Sequence, residues 1–164
     1  MSAPTPVVTT IRRGIVTAIQ AVTAGSTYHN TLTGDDQVKH GLYAAPARTG
    51  LPCVMVGRGR IASQHGGPLG QYARTCVFQV VCWAPHTTDD PDAKISAAEA
   101  LAQDVTIAIE AAVNESSGAL HSYTTSCIVE DADFDGSEGD IAAQWGVAAL
   151  SVSVTLQARN TRGL

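Results

Sequence analysis

The chain is poor in charge. Of its 164 residues only 15% are Asp, Glu, Lys or Arg, against about 25% in an average soluble domain. Ten basic and fifteen acidic residues give a net charge of −5, and the basic residues form no cluster along the chain. Because sequence-independent binding of nucleic acid requires such a cluster, this composition argues against that class of protein. A surface with few charges is typical of subunits that bury faces against neighbours.

Large apolar side chains are also few, and no long run of them occurs. Hydrophobic residues make up 45% of the chain, but 25 of them are alanine. Leu, Ile, Val and Phe together reach about 22%, so we expect a small core with long polar or glycine-rich loops outside it. No apolar run approaches the ~20 residues of a transmembrane helix. The length predicts a single domain over residues 1–164, with its core at about residues 5–158.

Residues arranged for catalysis are missing as well. The four cysteines are scattered and mostly lie inside apolar runs, which predicts reduced, buried and unreactive thiols (Cys53, Cys76, Cys82 and Cys127). No Gly-x-Ser-x-Gly motif occurs, and no group of titratable residues is spaced to form a nucleophile, a base and an oxyanion cradle. We therefore expect a protein that is not an enzyme and that carries no cofactor.

Two helices are predicted from apolar spacing. The first has Thr5 as its cap, Pro6 at its first position and Gly25 as a left-handed stop. The second has Asp90 as its cap and Pro91 at its first position, and it ends between Asn114 and Gly118. Spacings of three and four define one buried stripe on each helix: Val8, Ile11, Ile15, Ile19 and Val22 on the first, and Ile95, Ala98, Leu101, Ala102, Val105, Ile109, Ala112 and Val113 on the second.

Four strands are predicted at 53–57, 72–83, 123–129 and 145–158. The second of these is apolar on both faces, since Cys76, Phe78, Val80 and Cys82 alternate with Val77, Val81 and Trp83. Such a strand is either covered on both sides or meets another subunit. Long loops are expected at 26–51, 59–71 and 131–144.

The order helix, hairpin, helix, hairpin predicts an α+β fold. Two hairpins form one antiparallel sheet of roughly four strands, and two helices pack on one face of that sheet.

An acidic segment precedes the last predicted strand. Asp131, Asp133, Asp135 and Gly136 match the first half of an EF-hand calcium loop. The match then fails, because Ala142 stands where the loop needs a bidentate Glu, and the flanking segments are predicted strands rather than helices. We favour unpaired carboxylates in a solvated turn and predict no metal site here.

The histidines give no metal motif either. None of the five lies within one helical turn of another, so metal binding would need residues that are distant in the sequence to converge (His29, His40, His65, His86 and His121).

Two features leave a structural and a functional interpretation open. Residues 57–60 read Gly-Arg-Gly-Arg and lack the further residues of a phosphate-binding loop. They are either a flexible strand end, or Arg58, Arg60 and Arg74 meet acidic faces of a partner. Tryptophan occurs both in cores and at interfaces, and for Trp83 we favour an interface slightly.

Several segments, taken in order, carry a resemblance to a known family. An amphipathic helix and a loop precede a strand that opens on proline, Leu51-Pro52-Cys53-Val54-Met55-Val56-Gly57. A later strand ends in an aromatic residue and a turn, Val77-Phe78-Gln79-Val80-Val81-Cys82-Trp83-Ala84, and the second helix and two closing strands follow. This pattern resembles the tail terminator proteins of long-tailed bacteriophages, also described as tail completion or head–tail joining proteins. The likeness covers about residues 5–158 and includes no catalytic motif.

The resemblance implies a ring, usually a hexamer, that caps the tail tube, halts its polymerisation and joins the tail to the neck of the capsid. The implied partners are further copies of the chain, the tail tube protein and a neck or head-completion protein. DNA would pass through the lumen without specific binding, and no membrane is involved. The implied location is the tail–neck junction of a virion assembled in the host cytoplasm. Candidate contact residues are Arg58, Arg60, Arg74, Trp83, Asp131, Asp133 and Asp135.

Other functions stay open at this point. The nearest alternatives are a head-completion or stopper ring of the neck and a tail tube subunit. A more remote alternative is a metal-dependent enzyme that uses His86, His121 and the acidic segment.

Overall fold

The fold is of the α+β class, as predicted. A computed structural model describes residues 6–41, 52–67, 71–85, 90–131 and 147–158. The elements follow in the order α1 (Val7–Gln20), β1 (Val38–His40), β2 (Cys53–Val56), β3 (Arg60–Gly67), β4 (Gln71–Pro85), α2 (Pro91–Asn114), β5 (Thr124–Asp131) and β6 (Val147–Ala158). The strands form one sheet in the order β1-β2-β4-β6-β5, and β3 also pairs with β4.

The sheet differs from the prediction in two respects. It has six strands rather than four, and it is mixed rather than purely antiparallel, because β1 runs parallel to β2. The two additional strands lie inside segments predicted as loops, β1 within 26–51 and β3 within 59–71. Neither strand has a run of alternating apolar residues, and each forms by pairing with a neighbour that is already in the sheet.

The central strand is β4, which pairs along both of its edges. On one edge it is antiparallel to β6 from Arg74 to Pro85. On the other edge it is antiparallel first to β3 and then to β2. Its Cys76, Phe78, Val80 and Cys82 are completely buried in the main core, which confirms the alternation read from the sequence.

Helix α1 covers the β1 and β2 side of this face. The predicted stripe is confirmed, since Ile11, Ile15, Ile19 and Val22 are fully buried and Val8 is partly buried against the core. Pro6 is the residue that precedes the helix rather than its first residue. Thr5, the predicted cap, lies outside the described residues.

The predicted stop of α1 at Gly25 is wrong. The helix ends at Gln20, and Gly25 does not adopt the left-handed conformation. The backbone N–H groups of Ala21 and Val22 donate to the carbonyls of Ala18 and Ile19, so the last turn is closed without a glycine.

Helix α2 packs across β4, β6 and β5 and also contacts α1, so both helices lie on one face of the sheet, as predicted. Its start is confirmed: the Asp90 side chain accepts a hydrogen bond from the backbone N–H of Asp92 at 3.1 Å, and Pro91 occupies the first turn. Ile95 does not belong to the buried stripe, because it is 55% exposed; the stripe begins at Ala98.

One acidic residue is buried inside this helix layer. The carboxylate of Asp104 is fully buried and accepts hydrogen bonds from the backbone N–H of His29 at 2.9 Å and of Asn30 at 2.8 Å. It also accepts from the Nδ2 of Asn30 at 2.8 Å. The segment after α1 is thereby fastened to α2, and this connection directs the chain towards β1.

We predict that Asp104→Ala destabilises the fold by about 3 kcal/mol, because it leaves buried N–H donors without an acceptor. Urea unfolding followed by circular dichroism measures the change. Glu110→Ala on the exposed side of the same helix is the control and should stay within about 0.5 kcal/mol of the unchanged chain. Equal effects of the two substitutions would refute this role of Asp104.

Candidate interaction surface

The face of the sheet that carries no helix among the described residues has its own apolar cluster. Cys53, Met55, Val81 and Trp83 are buried together there, separately from the main core. In the register Trp83 lies opposite Cys53, and Val81 lies opposite Met55, so two cross-strand pairs of β2 and β4 build the cluster. The strand β4 is therefore apolar on both faces, as its sequence predicts.

Trp83, a candidate contact residue, lies within this cluster. Only 7% of its surface is exposed in the single chain, so its ring already packs inside the subunit. Its Nε1 is buried and has no hydrogen-bond partner in the described part of the chain. A role for Trp83 at an interface stays a prediction.

The Gly-Arg-Gly-Arg segment is the break between β2 and β3, two strands that follow one another along the same edge of β4. At the break the backbone N–H of Gly57 donates to the carbonyl of Gln79 at 2.8 Å. A Cβ on residue 59 would collide with the aromatic ring of Phe78. The glycine at 59 is thus required by the close approach of a core side chain, and the segment is not merely a flexible strand end.

The candidate arginines are only partly brought together. Arg58 and Arg60 flank Gly59, and both are exposed. Arg60 lies opposite Val77 in the register, whereas Arg74 lies opposite Gln64 and is three residues farther along β4, which corresponds to roughly 10 Å of strand. The three residues therefore do not form one compact basic patch on the backbone.

Of the three candidate acidic residues, Asp131 lies within the described sheet. Asp131 is the last residue of β5 and lies opposite Val152 of β6. Asp133 and Asp135 lie outside the described residues, as does most of the predicted loop 131–144.

A second basic group was missed by the sequence analysis. Val38 and His40 alternate with Lys39, so both lie on the face of β1 that is directed towards α1; Val38 belongs to the main core, whereas His40 is exposed. The pKa of His40 is lowered, chiefly by partial burial and further by the nearby guanidinium groups of Arg12 and Arg13. We call Arg12, Arg13 and His40 the basic corner. The signal available in the sequence was the adjacent pair of arginines on α1.

The charges of the basic corner are not balanced within the described part of the chain. Among the described residues one ion pair is formed, between the Nζ of Lys39 and a carboxylate oxygen of Asp36 at 3.8 Å, and neither Arg12 nor Arg13 takes part in it. The Nε of Arg12 is buried and has no hydrogen-bond partner among the described residues. Arg13 is exposed.

The four cysteines are free thiols, as predicted, and three of them are fully buried. Burial raises the pKa of Cys53 and of Cys82. The half-buried Cys127 has its pKa raised to about 11, mainly by burial and further by Glu110. A thiol is nucleophilic as the thiolate, so these groups are poor nucleophiles at neutral pH.

The described residues contain no group of three His, Cys, Asp or Glu side chains that could hold a metal ion. His121, one ligand of the hypothetical metal enzyme, uses its Nδ1 to donate to the carbonyl of Val113 at 2.9 Å near the end of α2. His86 lies outside the described residues.

Neither described helix is long and apolar enough to cross a lipid bilayer. No family model and no curated protein matches the chain.

We predict that Gly59→Ala destabilises the fold by about 1–3 kcal/mol, because the new methyl group must displace the ring of Phe78. Thermal unfolding measures the effect. Gly25→Ala is the matched control, since the nearest atom to a Cβ there is the carbonyl oxygen of Thr23 at 3.9 Å. If both variants unfold at the same temperature, the close contact between residue 59 and Phe78 does not exist in solution.

A second prediction concerns the thiols. At pH 8 a thiol with a pKa of about 11 is ionised in only about one molecule in a thousand. Iodoacetamide should therefore label Cys127 slowly in the folded chain, and the buried thiols more slowly still. Intact-mass measurement counts the labels, and the chain unfolded in guanidinium serves as the control that accepts all four. Rapid native labelling of any cysteine would contradict the burial described above.

Proposed function

We propose that the chain is a structural virion protein, a tail terminator that forms a ring on the end of a phage tail tube. The observation that carries the proposal is the two-sided character of β4. Both helices pack on one face of the sheet, while the other face has its own apolar cluster around Val81 and Trp83. The cluster is buried within the single chain, so contact with neighbouring subunits falls to the exposed apolar residues of that face.

The edges of the sheet support the same proposal. Ile128 on the outermost strand β5 is 56% exposed, and it alternates with Cys127 and Val129, which pack against the main core. Ile128 therefore belongs to the face without helices. An exposed large apolar residue on an edge strand suits contact with another copy of the chain.

The order of elements also supports the proposal. Helix, hairpin, helix and hairpin follow one another along the chain as in the family that the sequence resembles, with β1 and β3 as additions. The net charge of −5 suits a ring whose lumen DNA slides through, because like charges discourage sticking.

The mechanism is steric. A ring that adds to the end of the tube satisfies the open interface of the last layer of tube protein. Its opposite face differs in shape and charge from that interface and so accepts no further tube subunit. That opposite face then serves the neck protein, and no bond is made or broken at any step.

The test combines the purified chain with polymerising tube protein. We expect discrete rings by electron microscopy and shorter tubes as the concentration of the chain rises, because each ring blocks a growing end. Particles assembled without the protein should carry overlong tails. Tube protein alone is the control.

Three outcomes would overturn the proposal. Normal tails on leaking heads would indicate a stopper ring of the neck. Long tubes formed by the chain itself would indicate a tube subunit. A chain that stays monomeric at every concentration and leaves tube growth unchanged would exclude a terminator altogether.

A further inference from the structure

The basic corner has an unmet requirement for negative charge. The guanidinium groups of Arg12 and Arg13 both lie near His40, and neither forms an ion pair within the described part of the chain. A buried guanidinium N–H without an acceptor, such as the Nε of Arg12, costs free energy until an acceptor is supplied. A carboxylate is the acceptor that matches guanidinium best in charge and geometry.

Carboxylic acids stand at the opposite edge of the same sheet. The strand β5 ends on Glu130 and Asp131. In the strand order β1-β2-β4-β6-β5, β1 and β5 are the two outermost strands. The basic corner and the acidic end of β5 therefore lie on the two sides of the subunit rather than next to each other.

The register places these two edges at one level along the strands. His40 lies opposite Val56, which lies opposite Val80. Val80 lies opposite Val152, which in turn lies opposite Asp131. One row thus runs straight across the sheet from the basic corner to the acidic end of β5, a width of roughly 19 Å for four strand spacings.

We propose that successive copies of the chain join head to tail, with the Arg12 and Arg13 side of one subunit docked on the Glu130–Asp131 end of β5 of the next. The inference rests on the proposed ring and names the surfaces that close it.

Because the row from His40 to Asp131 lies at one level along the strands, this contact is compatible with a closed ring. A rotation about an axis parallel to the strands brings the β1 edge of one copy to the β5 edge of the next without any shift along the strands. A head-to-tail contact with no such shift closes into a ring instead of continuing as a helical filament. Each subunit then uses one basic and one acidic edge, so every basic corner has an acidic partner when the ring is closed.

Charge reversal tests the contact on the full chain. Arg12→Glu with Arg13→Glu, or Glu130→Lys with Asp131→Lys, should each weaken self-association roughly tenfold or more, because like charges then face each other. Sedimentation velocity measures the association. Glu99→Lys with Glu115→Lys reverses two exposed charges, one on α2 and one directly after it, and is the matched control, which should assemble like the unchanged chain. Circular dichroism confirms that each variant is folded.

Mixing the two reversed variants gives the sharper result. Neither forms rings alone, but in a mixture every reversed basic corner can meet a reversed β5 end. We expect rings of strictly alternating subunits, which requires an even number of positions.

Self-association of the unchanged chain should also weaken with salt, as the Debye length falls from about 10 Å at 0.1 M to about 3 Å at 1 M.

The outcomes separate this inference from the proposed function. If the unchanged chain forms no ring, both fail. If it forms rings that the Arg12 and Arg13 reversal leaves intact, or if the mixed variants do not restore assembly, the ring stands and the head-to-tail charge contact is wrong. The opposite pattern is also informative: if Arg58→Glu with Arg60→Glu abolishes the rings and the Arg12 and Arg13 variant keeps them, the contact lies at the break between β2 and β3 instead.

Discussion

The pairing of β4 along both of its edges is the constraint on which the rest of the structure depends. One edge holds β6 from Arg74 to Pro85, and the other holds β3 and β2 in succession. Because alternate residues of a strand point to opposite faces, this one strand supplies the floor of the main core through Phe78 and its neighbours and half of the second cluster through Val81 and Trp83. Both helices take their positions from the first of these faces.

A polar contact inside the helix layer decides where one edge of the sheet begins. Asp104 of α2 holds the backbone at residues 29 and 30, shortly after α1 ends. The chain then returns along α1, where the N–H of Leu32 donates to the carbonyl of Val22, and enters β1 beside β2. The position of His40 next to Arg12 and Arg13 follows from this route. The buried carboxylate of Asp104 thus helps to place His40 beside the two arginines of α1.

The described residues offer several features for contact with other molecules. Three of the chain's thiols are buried, the pKa of Cys127 is raised, and His121 is engaged at the end of a helix. The described surface also has an exposed apolar residue on the outermost strand, and basic and acidic residues stand at opposite edges of the sheet at one level along the strands. The proposed ring of identical subunits depends on these features.

The sequence by itself determined the elements whose signals are local. Asp90 and Pro91 start α2 because a cap and a first-turn proline act on neighbouring backbone, and the spacing of Ile11, Ile15 and Ile19 or of Cys76 and Phe78 reflects the repeat of a single helix or strand. Tertiary structure alone decided the rest. The strands β1 and β3 exist through their partners, Asp104 is buried because a distant loop supplies its donors, and Gly59 is needed because Phe78 lies over it. The row from His40 to Asp131 passes through residues far apart in the chain, and no local pattern records which of them become neighbours.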